Sequence, residues 1–382
     1  MKIVHLIYTQ GISGAEKYLK HLLPGLKEHG ISCELIVVCP KRSAAILAGY
    51  CKDLEDRGIK TTLFTGSRLF ILPLAWKINK YIKAAGFRIV HAHLLNSDLI
   101  AAIIKTLFNR RLFLISTKHG YEEKILEKYE PGKYIQLRDL YFYITRFTLS
   151  KIDQNIAVSN AIAELYFNLK LSKIFYPFIH HGITVENFNA ADYMDACRKA
   201  KHQLIIVGRI ELFKGHRFLI DALPAVIAAF PETKLLVLGE GSEKNNCVAQ
   251  INKLGLQKHI EFMGFQHHPY SYISVSDVII LPSLFEPFGL VYIEAFAHKV
   301  PVVAFDTPAG NEIIVHNETG LLVEKGDSQA LAEKIIYLLS HAAERKRLGE
   351  QAFDTYKNSF TTALMVKKTA DWYAGLPLKN LL

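Results

Sequence analysis

Ser276–Ala297, SDVIILPSLFEPFGLVYIEAFA, is the stretch from which the fold can be read. Val278 to Leu281 is a short apolar run bounded by Asp277 and Pro282, the pattern of a parallel strand buried on both faces. A loop follows. Glu286-Pro287-Phe288-Gly289 then opens a helix whose apolar positions Val291, Ile293, Ala295 and Phe296 pack on the sheet, while Glu294 faces the crevice beyond the strand ends. If the intervening segment is mostly helical, the two carboxylates stand roughly 12 Å apart, at about 1.5 Å per residue. The amides of Gly289, Leu290 and Val291, at the positive end of the helix dipole, suit a diphosphate between them. The glutamates suit hydroxyls. A surface helix with two solvated glutamates has the same spacing, so the stretch has to be read with the rest of the chain.

A chain of 382 residues with half of them apolar has material for two cores, which favours two domains. The cysteines at 33, 39, 51, 197 and 247 form neither a Cys-x-x-Cys pair nor a metal-like cluster with histidine, which fits a reducing cytoplasmic compartment. MKIVHLIYTQG at the start reads as a first strand and not as a signal peptide. No apolar run approaches the roughly 20 residues that span a bilayer. The formal net charge of +10 is unevenly placed: residues 1 to 190 hold 26 Lys and Arg against 15 Asp and Glu, and residues 191 to 382 hold 20 against 21. The first half alone is therefore expected to meet an anionic surface. Its basic residues are interleaved with Ile, Leu, Phe and Tyr at helical spacing in Leu69 to Ala85 and Gln136 to Lys151, which suits anionic lipid head groups better than nucleic acid. Core-facing helices with basic outer faces share that pattern.

In the first half, strand-like runs recur at Ile3 to Tyr8, Glu34 to Val38, Thr61 to Phe64, Arg88 to Ala92, Leu112 to Thr117 and Asp153 to Val158, with helix-like segments between. This alternation predicts an open parallel α/β sheet. The turn Gly11-Ile12-Ser13-Gly14 after the first strand allows close ligand approach at a helix N-terminus, as would any tight strand-to-helix turn. In such sheets ligands sit beyond the carboxyl ends of strands. His91, His93 and His119 are placed there by the sequence, and Gly120 beside His119 leaves room for substrate. An imidazole satisfied by backbone at a strand end would look the same. Polar residues 189–201 read as a linker.

The second half repeats the theme of strand, glycine turn and helix. Gln203 to Val207 leads into Gly208-Arg209-Ile210-Glu211-Leu212-Phe213-Lys214-Gly215, where Arg209 and Lys214 can flank a diphosphate and neutralise it in place of a metal. Leu235 to Leu238 leads into Gly239-Glu240-Gly241-Ser242, and Ile260 to Met263 into Gly264-Phe265, where backbone can meet a nucleobase edge.

Together these segments resemble the retaining nucleotide-sugar glycosyltransferases of the two-Rossmann GT-B fold, which include lipopolysaccharide, capsule and phosphatidylinositol mannosyl transferases. VGRIELFKG, VLGEGS, FMGF and the opening stretch occur in that family's order, and Glu286 and Glu294 stand as its Glu-x7-Glu motif. The resemblance implies two Rossmann-like domains facing across a cleft: an acceptor domain over 1–188, the linker 189–201 and a donor domain over 202–364, with helix 365–382 packing back on the first.

It also implies roles. Glu286 bonds the donor sugar and Glu294 the ribose. Arg209 and Lys214 hold the diphosphate with help from amides at Leu290 and Val291 and from Gly14, and His119 lies near the reacting sugar. Gly241, Phe265, Phe288 and Gly289 complete the donor set. The implied enzyme is a retaining hexosyltransferase that requires no cofactor and no metal. It uses a UDP- or GDP-type nucleotide-sugar and a glycan or glycolipid acceptor for polysaccharide or lipopolysaccharide biosynthesis, peripheral on the cytoplasmic membrane face and without a nucleic-acid partner; the alternatives are the same chemistry on a soluble small acceptor and a non-catalytic nucleotide-sugar-binding protein. Departures are His181-Gly182-Ile183-Thr184 where the family often has Asn-Gly-Ile-Asp, and Gly310-Asn311-Glu312 in place of its Gly-x-Pro-Glu element.

Overall fold

The computed structural model describes residues 1–67, 70–121, 140–185 and 193–378. Residues 69 and 136–139 of the two amphipathic segments, 189–192 of the expected linker and the end of the C-terminal segment fall outside that range. The described residues form two compact units, one of residues 1–121, 140–182 and 362–378 and the other drawn from 183–361.

The first unit carries six parallel strands: β1 (Lys2–Tyr8), β2 (Ser32–Cys39), β3 (Lys60–Thr65), β4 (Ile89–His93), β5 (Phe113–Lys118) and β6 (Gln154–Ala157), in the order β3-β2-β1-β4-β5-β6. Alternation along β1 sends Val4, Leu6 and Tyr8 to one face and Ile3 and Ile7 to the other. The Ile3 face is covered by the helix Gly14–Glu28 through Leu19, Leu22, Leu23 and Leu26, and by the C-terminal helix Thr362–Ala374 through Met365, Val366 and Tyr373. The Val4 face meets Leu74, Ile78 and Ile82 of the helix Ile71–Ala84. Glu16 ties the start of Gly14–Glu28 by accepting 2.7 Å bonds from the Ser13 amide and hydroxyl, which quiets part of the helix's unpaired first turn.

The second unit is built alike. β7 (His202–Val207), β8 (Thr233–Leu238), β9 (Ile260–Gly264), β10 (Val278–Leu281), β11 (Val302–Phe305) and β12 (Gly320–Val323) form a parallel sheet ordered β12-β11-β10-β7-β8-β9. Val278 to Leu281 is buried throughout, as the opening stretch requires. From Tyr193 onward the polar stretch read as a linker belongs to this unit. The Arg198 guanidinium donates to the Val275 carbonyl at 2.7 Å and to the Asp277 carboxylate at 2.9 Å.

Both sheets reverse direction of strand addition at their centre, between β1 and β4 in the first and between β7 and β10 in the second. Crevices for ligands open at such switch points, beyond the strands' carboxyl ends.

Candidate functional site

In the second unit, the loops leaving β7 and β10 meet at the switch point. The Leu284 amide donates to the Phe213 carbonyl at 2.7 Å, which locks one loop against the other. That contact brings Lys214 and Glu286 together: Nζ lies 2.5 Å from Oε1, and the Ser283 hydroxyl donates to the same oxygen at 2.9 Å. Glu286 is 8% exposed and Ser283 2%. A carboxylate this well covered needs a cation and a donor to offset its lost hydration. Both are present, as Lys214 and Ser283. Arg209 extends from the same loop with its guanidinium 5.4 Å from the Phe213 ring centroid, and Lys214 lies 5.5 Å from that centroid.

The structure corrects the reading of Glu286 as part of a helix. The helix runs only from Leu290 to Ala297, and Glu286 to Gly289 form a non-helical approach to it, so the 12 Å axial spacing does not apply. Gly289 is the N-cap with φ of 92°, and a Cβ there would come within 2.4 Å of the Tyr292 ring. Only glycine fits both demands. Leu290 and Val291 are half-buried at the helix start, where amides lack helical acceptors. Val291 is thus less buried than expected, and Ile293, Ala295 and Phe296 do the packing. Glu294 is buried, with the Tyr270 hydroxyl 3.5 Å from Oε1. Burial and that neighbouring carboxylate push the Tyr270 phenol up from its ordinary value.

Three further expected donor positions differ in character. A Cβ at Gly241 would lie 2.2 Å from the Ile210 carbonyl oxygen, so its glycine is required by the close approach of two loops. Phe288 is buried against Phe360, its ring centroid 6.1 Å away, and serves the core. Phe265 is the opposite case: it is 64% exposed just past β9, edge-on to His267.

In the first unit, Gly14 begins the helix after β1, and His119 follows β5, half-buried. His91 and His93 do not sit past a strand end as expected but within β4, fully buried. His5, which the sequence reading passed over, is their neighbour. It pairs with His91 across β1 and β4, so both side chains leave the sheet on one face. Around these rings stand Tyr18, His119 and His181. The Tyr373 hydroxyl from the C-terminal helix lies 2.5 Å from His91 Nδ1, and Thr117 lies 2.7 Å from His91 Nε2. Burial lowers His5 and His119 to about 3 and holds His91, His93 and His181 well below the ordinary imidazole range, so the layer is neutral at pH 7. The signal for this layer was the lone His5 in an apolar strand. Its meaning depends on strand order, which a single sequence does not print.

His5, His91 and His93 are close enough to share an ion. The bonding argues otherwise: both His91 nitrogens are taken by hydroxyls, and His5 and His93 bond to each other. Beside the layer, Lys118 and Asp98 form a buried ion pair at 2.7 Å, with Ser116 donating to the second carboxylate oxygen.

Comparison with known proteins agrees with this architecture. Residues 196–355 match the family described as Glycosyl transferases group 1, and residues 12–187 match Glycosyltransferase Family 4. A glycosyltransferase from Rickettsia africae aligns with a TM-score of 0.79 at 23% identity, covering 99% of each chain. HepE from Anabaena, solved in complex with UDP, aligns at 0.79 and 21% identity over 98% of this chain and 100% of its own. Among curated proteins, a Campylobacter jejuni transferase that adds N-acetylgalactosamine to a diphospho-undecaprenol glycan is 25% identical over 362 residues, 92% of this chain and 93% of that one. Two parallel sheets with a charged switch point and matches along both halves define a glycosyltransferase of the GT-B fold. The chain belongs to the group 1 glycosyltransferases.

Proposed function

We propose that this enzyme moves a hexose-type sugar from a nucleotide-sugar, of UDP or GDP type, to a hydroxyl of a lipid-linked or lipopolysaccharide-like glycan, with retention at the anomeric carbon and without a metal. The observation that carries the reading is the Lys214–Glu286–Ser283 cluster beside the start of the helix Leu290–Ala297. Lys214, Arg209 and the Leu290 and Val291 amides offer positive charge to a departing diphosphate, the task a metal performs elsewhere. Glu286 bonds sugar hydroxyls and Glu294 the ribose. Gly241 and Phe265 lie along the nucleotide, Phe288 and Gly289 hold the helix start in place, and Gly14 and His119 of the first unit serve the diphosphate and the reacting sugar. The departing phosphate takes the proton from the acceptor hydroxyl as the new glycosidic bond forms on the same face, so no covalent glycosyl-Glu286 is needed.

The relatives support the donor and the acceptor class. HepE has been solved with UDP and with UDP-glucose, and the Campylobacter enzyme is named for an undecaprenol-linked acceptor. Membrane contact on the cytoplasmic face is supported by the first unit's surface. Phe70, Leu72 and Trp76 are exposed beside Lys77 and Lys80, and Leu140, Tyr143 and Phe147 beside Arg146. Such a mixture of aromatic and basic side chains suits an anionic interface. No helix among the described residues is long and apolar enough to cross a membrane. The five cysteines are all unpaired, which fits a reducing compartment.

The test is a thermal-shift screen against UDP-, GDP-, ADP- and TDP-sugars with and without EDTA. A ligand held by the native state raises the melting temperature by mass action. A shift with one UDP- or GDP-sugar, unchanged by EDTA, followed by transfer from that donor to a lipid-linked glycan, is the expected result. A shift abolished by EDTA overturns the metal-free reading.

A further inference from the structure

Among the buried titratable groups, one array is arranged unlike a packed core. His5 Nδ1 lies 3.0 Å from His93 Nε2, and His93 Nδ1 lies 3.1 Å from His119 Nε2. The ring centroids are 5.3 and 5.4 Å apart. Those separations are what head-to-tail imidazoles show when an N–H of one points at the lone pair of the next. The rings of His5 and His93 are nearly parallel, at 13°. The outer nitrogens, His5 Nε2 and His119 Nδ1, are buried without a hydrogen-bond partner.

A neutral imidazole carries one N–H and one lone pair. Three neutral rings therefore hold three protons, and two bonds use only two. One proton is always left without an acceptor, and it sits at one end of the array or the other. If it sits at His119, all three rings are Nδ1–H tautomers. If it sits at His5, all three are Nε2–H. No mixed pattern keeps both bonds. A buried N–H without an acceptor is costlier than a bare lone pair, and the His5 end is enclosed by core while His119 stands at the end of a strand, half-buried.

We propose that His5 and His93 are positioning residues for His119: the line of rings holds all three as Nδ1–H tautomers with the unpaired proton on His119 Nδ1, so His119 is a fixed hydrogen-bond donor to a substrate oxygen. This rests on the reading that His119 contacts the sugar substrate. The array then has a chemical consequence. His119 offers a donor and no lone pair, so it accepts a hydroxyl or phosphate oxygen and rejects a cationic group. Tyr373 and Thr117 hold His91 over His93, with ring centroids 4.5 Å apart, and limit the tilt that would break the line.

The experiment is nitrogen-15 NMR of ring nitrogens in histidine-labelled wild-type protein at pH 7.5, free and with UDP-glucose or GDP-mannose at saturation. His5, His93 and His119 are expected to be Nδ1–H in the free protein and in whichever complex forms. Differing tautomers among the three rings in the free protein refute the array whether or not a donor binds. A shared Nε2–H state refutes the assignment of His119 as the donor end. In transfer assays, His93→Phe should lower kcat on the order of tenfold or more, as expected for a misaimed contact, while His93→Gln, which can accept and donate in line, should recover most of it. Equal losses in the two variants overturn the positioning role. Full activity in His119→Ala would instead remove the substrate reading on which the proposal stands, while leaving the tautomer result intact.

Discussion

Acidification tests the neutral histidine layer directly. In the unfolded chain an imidazole titrates near 6.5, while in the folded first unit His5 and His119 are lowered to about 3, with His91, His93 and His181 shifted the same way. Between those limits the unfolded state binds more protons, so stability is intact above about pH 7 and falls as pH drops below the unfolded value. From pH 7.5 to 5.5 each ring that stays neutral when folded costs about 1.4 kcal/mol. His5 and His119 alone remove about 3 kcal/mol, or roughly 6 to 12 °C of Tm for a unit of this size. The other three rings add to the loss.

Lys118, Tyr18 and Tyr373 also face the layer. None supplies a carboxylate that would favour an imidazolium, and the Asp98 charge is already taken by Lys118. Calorimetry at pH 7.5, 6.5 and 5.5 and constant ionic strength measures the effect. His216 and His298 of the second unit, both lowered to about 4, shift that unit in the same sense, so a His5→Phe variant is needed as the comparison. It should lose about 1.4 kcal/mol less over the same interval. A Tm that is flat across the range, or identical slopes in the two proteins, refutes the neutral layer.

At the charged switch point, Lys214→Met and Glu286→Gln should each lower sugar transfer by two or more orders of magnitude, while circular dichroism stays native. Near-normal turnover in both would defeat the site assignment. Gly241→Ala should cost about 1 to 3 kcal/mol, because a methyl cannot share space with the Ile210 carbonyl without backbone movement, and denaturant titration reads that loss. Tyr373→Phe removes the hydroxyl that meets His91 and should destabilise the first unit by about 1 to 3 kcal/mol, since it leaves a buried ring nitrogen unsatisfied. Anionic vesicles should co-sediment the protein more than zwitterionic ones, and Trp76→Ser should weaken that binding.

Much of the architecture was legible because period and punctuation carry it. Val278–Leu281 falls where its apolar run bounded by Asp277 and Pro282 places it, and the strand Thr233–Leu238 covers the run Leu235 to Leu238. Glu286 was misread as helical because Pro287 and Gly289 serve equally in a helix start and in a loop. The φ of 92° at Gly289 is settled by the Tyr292 ring, a local packing fact absent from the pattern. His91 and His93 were placed at a strand end because the apolar run there read as Arg88 to Ala92, whereas the strand runs through His93. In β4 they are tolerated only because β1 brings His5, β5 brings Thr117 and the last helix brings Tyr373. Those partners are 26 to 282 residues distant along the chain.

The C-terminal helix Thr362–Ala374 gives the polypeptide an uneven schedule of completion. The first unit's strands are all synthesised by Ala157, yet the core on its Ile3 face still lacks Met365, Val366 and Tyr373. While the ribosome makes the intervening two hundred or so residues, the part of that face not covered by Gly14–Glu28 and the His91 ring wait for the last helix. The second unit, drawn almost entirely from one continuous stretch, has no such wait. The half that begins the chain is therefore the last to be sealed, and a truncation that spares every charged residue of the switch point would still leave the newborn protein prone to aggregate.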